Sequence, residues 1–374
     1  SEEKKGQYYQ DRFYENLGDG EFLKAQAALP DFLNSGSCVK PGDFDNDGDL
    51  DLFVGGKLIP GNYPLPADSY LLKNESQGGN IKFVDVTKEL APFMTELGMV
   101  SDAEWVDVDN DNNLDLVIVG EWMPIKIIKN TGSEFVDISK ESGLENQVGW
   151  WYSVACADFD KDGDKDFIIG NLGLNYKYQA TPEAPFEVYA KDFDNNGSLD
   201  IVLGYHEDGS IYPLRGRECS SNQMPFIKKK FPSYNDYGLA DMSTVYGKES
   251  LEKSLHYTAT TFATSYIENL GGMKFNIRKL DALAQFSSVN SILIDDFNKD
   301  GNLDAVLSGN LYQAEVETPR NDAGYGVLLE GNGKGQFTSK LPYESGLFVK
   351  GDVKNAAIIN TPFKNKRILF GKND

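Results

Sequence analysis

The chain has 374 residues, 40% of them hydrophobic and 12% aromatic, which excludes a disordered polypeptide and provides for a large core. Its formal charge of −22 disfavours nucleic acid as a partner, because a phosphate backbone would be repelled. No apolar run reaches the roughly 18 residues of a membrane-spanning helix.

Taken in chain order, the first predicted element is a hairpin at 11–25, DRFYENLGDGEFLKA, with a Gly-containing turn between alternating strands. Next comes an acidic loop followed by an aliphatic run, GDFDNDGDLDLFVGG from Gly42, and then a second hairpin from Ser69. The pattern returns as VDVDNDNNLDLVIVG from Val106, with a hairpin from Ile125. ADFDKDGDKDFIIGN from Ala157 and KDFDNNGSLDIVLGY from Lys191 follow so closely that the third repeat is expected to be short. A segment at 206–260 matches no repeat, and its stretch from Asp236 to His256 reads as helical. Hairpins from Ser265 and from Gly326 flank the last loop, DDFNKDGNLDAVLSG from Asp295. Two further strands are expected at 356–359 and 367–370.

One acidic-loop strand pair and one hairpin make a four-stranded unit of about 50 residues, the size of a propeller blade. The expected fold is all-β: a closed β-propeller of six, or seven, four-stranded blades with calcium loops and a partly helical insertion. The whole of 1–374 is read as one such domain, with 206–260 inserted between strands of one blade. The hairpin at 11–25 is expected to complete the last blade with C-terminal strands in 353–372, removing open sheet edges.

The loops read D-x-D-x-D-G-x-x-D. Oxygens at positions 1, 3, 5 and 9, with the carbonyl of position 7, suit Ca²⁺, and the nitrogen and sulfur ligands favoured by zinc are missing from the pattern. Site one is Asp43, Asp45, Asp47 and Asp51, with Asp49 at the carbonyl position. Site two is Asp107, Asp109, Asp111 and Asp115 with Asn113; site three is Asp158, Asp160, Asp162 and Asp166 with Asp164. Site four is Asp192, Asp194, Asn196 and Asp200 with Ser198, and site five is Asp296, Asn298, Asp300 and Asp304 with Asn302. Asn for Asp drops a charge, so sites four and five are expected to be the weaker of about five Ca²⁺ sites. An EF-hand is excluded because it needs Glu at position 12 and flanking helices.

The D-x-D-x-D-G-x-x-D loops with flanking strands, GNLG at 170–173 and the stretch DRFYENLGDGEF resemble the FG-GAP or VCBS repeat family, as in integrin α-subunits and bacterial ASPIC/UnbV-associated surface proteins. The resemblance covers roughly 11–372. It implies an extracellular or outer-membrane-attached calcium-binding module, in a Gram-negative bacterium, with a TonB-dependent outer-membrane transporter complex as its expected partner. The chain opens SEEKKGQYYQ without an initiator Met, which is compatible with a removed upstream signal or domain.

No catalytic constellation is legible, so the expected activity is protein or glycan binding rather than catalysis. The alternative is a calcium-dependent carbohydrate-active enzyme such as a polysaccharide lyase. Trp150, Trp151, Tyr152 and Tyr176 (with Tyr178) are candidates for an aromatic ligand platform, and Arg215 and Arg217 for an acidic-ligand clamp. His206 and His256 read as surface or packing residues. Cys38, Cys156 and Cys219 fit no disulfide framework and read as unpaired packing residues.

Overall fold

The computed structural model describes residues 6–33, 35–314, 318–361 and 366–373. The chain divides into two compact units, one of residues 1–146, 150–177 and 262–374, the other of 147–149 and 178–261.

The first unit contains four antiparallel sheets with one plan. In the first sheet Ser35–Gly42, Asp51–Leu58, Tyr70–Asn74 and Phe83–Asp85 pair in chain order. The second has Met99–Val106, Asp115–Pro124, Lys126–Asn130 and Phe135–Asp137 in the same succession. The last has Ser291–Asp295, Asp304–Ser308, Val327–Gly331 and Phe337–Lys340. Their second strands are apolar on both faces, so Leu116, Val117, Ile118 and Val119 are all fully buried. Each acidic loop joins a first strand to a second.

The third sheet departs from the sequence reading. Ser153–Ala157 and Asp166–Gly170 pair as expected, but their outer strands are Ser265–Asn269 and Phe275–Lys279, with Ile168 opposite Tyr266. This sheet is therefore complete, not short. Residues 171–264 intervene between its second and third strands, a span that takes in the 206–260 segment matching no repeat.

Most of that span forms the second unit. It has its own sheet, in the order Ser210–Pro213, Asp200–Glu207, Phe186–Lys191, Leu255–Ala259, with the fourth acidic loop between its two central strands. Its last strand adds beside the first rather than at the outer edge, unlike the other sheets. Five short helices between Arg217 and Glu252 pack Met224, Ile227, Met242 and Val245 against Tyr189 and Val202 of the sheet.

Within the first unit the first strands of successive sheets lie side by side in chain order, and Val353–Asn360 joins the series after Ser291–Asp295. They line a polar cavity of about 660 Å³. Lys40 there reaches Asp102 at 2.8 Å and Glu104 at 3.7 Å. Cys38 and Cys156 border the same cavity, and burial pushes each thiol up to about 11. No disulfide joins the three cysteines, and each is half-buried.

Tyr14–Gly18 with Glu21–Lys24, and Val353–Asn360 with Lys366–Lys372, are two separate two-stranded sheets with no ladder between them among the described residues. The segment 362–365 between the last two strands lies outside the described residues.

Candidate metal centre

Each acidic loop folds on itself before any ion is considered. The position-1 carboxylate accepts the amides of positions 5 and 6: Asp43 from Asp47 (3.1 Å) and Gly48 (3.0 Å), Asp107 from Asp111 (3.0 Å) and Asn112 (2.8 Å). Asp192 and Asp296 repeat the arrangement, while Asp158 takes the Lys161 amide instead, at 2.7 Å. Position 6 is left-handed, with φ +95° at Gly48 and +68° at Asn112. Position 4 is left-handed too, at Asn46, Asn110, Lys161, Asn195 and Lys299, which the lysines conceal in the sequence.

The position-9 aspartates do more than supply a ligand. Asp51, Asp115, Asp166 and Asp304 are fully buried. One oxygen of each accepts the position-2 amide: Phe44 (3.2 Å), Val108 (3.0 Å), Phe159 (3.3 Å) and Phe297 (2.9 Å). The other accepts an amide at the end of the third strand: Asn74 (2.8 Å), Asn130 (2.8 Å), Asn269 (2.9 Å) and Gly331 (3.0 Å). The carboxylate thus pins its loop to the outer hairpin of its own sheet. Burial pushes Asp51, Asp115 and Asp166 up to about 6.

Neighbouring sheets hold the loops from the other side. Asn130 Nδ2 donates to the Phe44 carbonyl (2.7 Å), Asn269 Nδ2 to the Val108 carbonyl (3.0 Å), and the Gly335 amide to the Phe159 carbonyl (3.4 Å). In parallel, position 4 of one loop reaches position 7 of the next. Asn46 Nδ2 donates to Asn113 Oδ1 (3.2 Å), Asn110 Nδ2 to Asp164 Oδ1 (2.7 Å), and Lys161 Nζ to Asn302 Oδ1 (2.8 Å). The sequence reading missed both sets. The signal was there: an Asn closes the third strand in the hairpins beginning at Ser69, Ile125 and Ser265.

The ligand sets come together in four of the five loops. One carboxylate oxygen from each of Asp43, Asp45 and Asp51 lies within 4.8 Å of the others, and so for Asp107, Asp109 and Asp115, for Asp158, Asp160 and Asp162, and for Asp192, Asp194 and Asp200. The residues fit a hard cation by a second test. Asp109 Oδ1 and Asp49 Oδ1 are buried without a hydrogen-bond partner, a state whose cost a bound cation would remove. In loop five, Asn298 donates to Asp300 at 3.1 Å, and no three carboxylates gather there.

Two loops already hold a positive charge. Lys73 pairs with Asp45 and Asp47 of loop one, and Lys129 with Asp109 and Asp111 of loop two. The matching residue in the third sheet is Glu268, and among the described residues no lysine pairs with Asp158, Asp160, Asp162 or Asp166. Ions entering loops one and two must displace an ammonium; loop three presents Asp158, Asp160 and Asp162 together without that competition.

A sequence profile described as the FG-GAP-like repeat matches residues 6–54 and 107–169. The chain carries FG-GAP-like repeats. The matched stretches take in the N-terminal hairpin, loop one, loop two and loop three of these FG-GAP repeats. No curated protein matches the chain. Among solved structures it is similar to an Agrocybe aegerita lectin described as recognising non-reducing terminal N-acetylglucosamine, at 14% identity, 88% of this chain, 73% of that chain and a TM-score of 0.30. It is also similar to the V. cholerae biofilm matrix protein Bap1, at 9% identity, 95% of this chain, 68% of that chain and a TM-score of 0.30. Scores this low carry no inference about ligands.

The other sequence candidates disperse. Trp151 is fully buried in a core cluster with Val119 and Ile169, so it offers no platform to a ligand. Trp150 packs edge-on against Trp122 (5.1 Å) and Phe262 (5.5 Å). Tyr152 borders the 660 Å³ cavity, whereas Tyr176 lines a different one with Lys177 and Arg320. Arg217 donates to the Phe231 carbonyl at 2.6 Å and lies over the Tyr234 ring, and Arg215 reaches Gln223 at 3.4 Å. Both arginines are half-buried, and Arg217 ties helices of the second unit together. His206 and His256 share one buried partner that sequence reasoning missed. Glu187 meets His206 Nε2 at 2.5 Å and His256 Nε2 at 2.9 Å, and it accepts from Tyr189. The His256, Tyr189 and His206 contacts outweigh burial and hold its carboxyl below the usual range.

The loop-to-loop contacts make a prediction. Asn110→Gly keeps the left-handed backbone and removes only the bond to Asp164. It should cost about 0.5–1.5 kcal/mol in chemical denaturation and weaken calcium at loop three severalfold in calorimetry, leaving loop one unchanged.

Proposed function

We propose that this FG-GAP repeat chain is a calcium-loaded β-propeller that works outside the cytoplasm as a binding or scaffolding module, without catalytic turnover. The observation that carries the metal reading is the buried, unpartnered Asp109 Oδ1 inside a three-carboxylate cluster. Calcium would supply charge compensation and hold the loops shut; Asp, Asn and backbone oxygens of the chain would hold it. Five divalent ions would offset ten of the 22 net negative charges.

Ring closure by the chain ends belongs to the same proposal. Asn16 accepts the Gly18 amide at 2.9 Å, the same turn that Asn74, Asn130 and Asn269 make at the ends of third strands. The hairpin at 14–24 therefore has the chemistry of an outer hairpin. The strands Val353–Asn360 and Lys366–Lys372 have the position of an inner pair without one. Together they would form the last blade.

Sites filled at the millimolar calcium of extracellular fluids suit a surface location, and a protein or glycan partner at a Gram-negative outer membrane, such as a TonB-dependent transporter complex, fits that setting. The test is affinity capture from solubilised outer membranes with calcium at about 1 mM, the weak end of extracellular-module affinities, or with excess chelator. A specific partner retained only with calcium is expected. Turnover of a polysaccharide panel would instead favour the lyase reading, and equal capture in both conditions would remove calcium from the binding step.

A further inference from the structure

The acidic loops of the first unit are joined to one another as well as folded on themselves. Position 2 of each loop sits between two ligand aspartates: Phe44 between Asp43 and Asp45, Val108 between Asp107 and Asp109, Phe159 between Asp158 and Asp160. Its backbone is gripped from both sides. In loop one the Phe44 amide donates to Asp51 of the same loop at 3.2 Å, and the Phe44 carbonyl accepts Asn130 Nδ2 at 2.7 Å. Asn130 in turn donates its own amide to Asp115 of loop two at 2.8 Å. The other oxygen of Asp115 accepts the Val108 amide at 3.0 Å, and the Val108 carbonyl accepts Asn269 Nδ2 at 3.0 Å. The Asn269 amide donates to Asp166 of loop three at 2.9 Å, whose other oxygen accepts the Phe159 amide at 3.3 Å. One unbroken series of hydrogen bonds therefore runs from Asp51 through Asp115 to Asp166.

The two asparagines that carry this series are fixed where they stand. Asn130 is 3% exposed and Asn269 is 0%. Each side-chain oxygen accepts the amide two residues on, from Gly132 at 2.9 Å and from Gly271 at 3.1 Å. Neither side chain can turn away without leaving the carbonyl of a buried residue, Phe44 or Val108, unpaired. A second, exposed link runs beside the first. Asn110, between ligands Asp109 and Asp111, donates to Asp164, at the carbonyl position of loop three, at 2.7 Å. Asn46 makes the same reach from loop one to Asn113 of loop two at 3.2 Å.

From this geometry we infer that loops one, two and three take up calcium cooperatively, with Asn130, Asn269 and Asn110 as the positioning residues. The inference rests on the calcium reading above and concerns the regulation of those sites. The conformation that gathers a loop's ligands is the one that bonds its neighbour. An ion holding loop three in that conformation removes part of the ordering cost at loop two, and loop two does the same for loop one. Charge alone acts in the opposite direction, since each ion weakens the negative field that draws the next. The bonds prevail because they are direct and partly buried, whereas the field between exposed loops is screened over about 8 Å at physiological salt.

The test reads loop two after a change confined to loop three. Asp162→Asn removes a ligand from loop three, and calcium binding at loop two is followed in the whole chain by calorimetry and by the Asn112 amide in NMR titrations. Loop three of this variant holds three ligand carboxylates and no ion, which is more negative than four carboxylates with Ca²⁺. Charge alone would therefore tighten loop two, whereas the bonds predict that its affinity falls about fivefold or more. On an Asn110→Gly background, where one of the two links is already cut, Asp162→Asn should weaken loop two by only about two- to threefold. Loop-two affinity that is unchanged or tighter in Asp162→Asn overturns the inference and leaves the metal reading intact, as does an equal loss in both backgrounds. Protein that takes up no calcium at all overturns the inference and the metal reading together.

Discussion

Asp166→Ala should cost about 3–5 kcal/mol of stability, in metal-free protein as well as in calcium, seen as a lower midpoint in urea. The carboxylate is fully buried and serves three donors: the Phe159 amide, the Asn269 amide at 2.9 Å and the Tyr266 hydroxyl at 2.6 Å. Tyr266 is itself 1% exposed, so alanine leaves a buried phenol and two buried amides without acceptors. The loss falls where the chain can least accommodate it, because Tyr266 and Asn269 belong to the strand that returns to this sheet after the 171–264 excursion. Asp162→Asn is the companion variant. Asp162 is exposed and accepts one local amide, from Asp164 at 2.9 Å, so its loss should change metal-free stability little and reduce only the calcium increment. Equal destabilisation by the two variants without metal would show that position 9 is no more than another ligand.

Calcium should raise the melting temperature at pH 7.5 and chelation should lower it, with the effect fading on acidification. A site with a dissociation constant a hundredth of the free calcium adds about 2.7 kcal/mol, so a few sites rival the roughly 5–15 kcal/mol of a whole domain. The pH dependence follows from Asp51, Asp115 and Asp166, which burial pushes up to about 6. A carboxyl raised in this way favours its neutral form in the metal-free fold. Its stabilising contribution is complete below the ordinary value of 3.8 and is lost as pH rises through about 6. Calcium binds the ionised form, so protons compete with it over that same window. Affinity at loops one, two and three should therefore fall about tenfold from pH 7 to pH 5. Filling should begin at loop three, where no lysine must be displaced, and Asp162→Asn should remove the tightest calorimetric phase. A melting temperature indifferent to chelator at pH 7.5, or affinity flat across this pH range, would contradict the scheme.

The sequence by itself determined what is local. Five copies of one acidic spacing placed five loops, and the flanking aliphatic runs placed the strands, such as Leu116 to Val119 within Asp115–Pro124. The five hairpins, among them Ser265–Asn269 with Phe275–Lys279, followed from turn glycines and alternation, since the bonds that form them join near neighbours. The tertiary structure alone decided which edges meet. Nothing in the residues around Phe167 says that its strand pairs with Ile267, about a hundred positions on, or that Leu255–Ala259 adds beside Phe186–Lys191. Such pairings depend on burying apolar faces across a long excursion, which leaves no period in the chain. The same holds for the contacts that bind loop to loop. Asn130 reads as one more turn residue until the fold brings its side chain to the carbonyl of Phe44, 86 positions earlier, and Glu187 reads as a strand residue until two other strands deliver His206 and His256 to it.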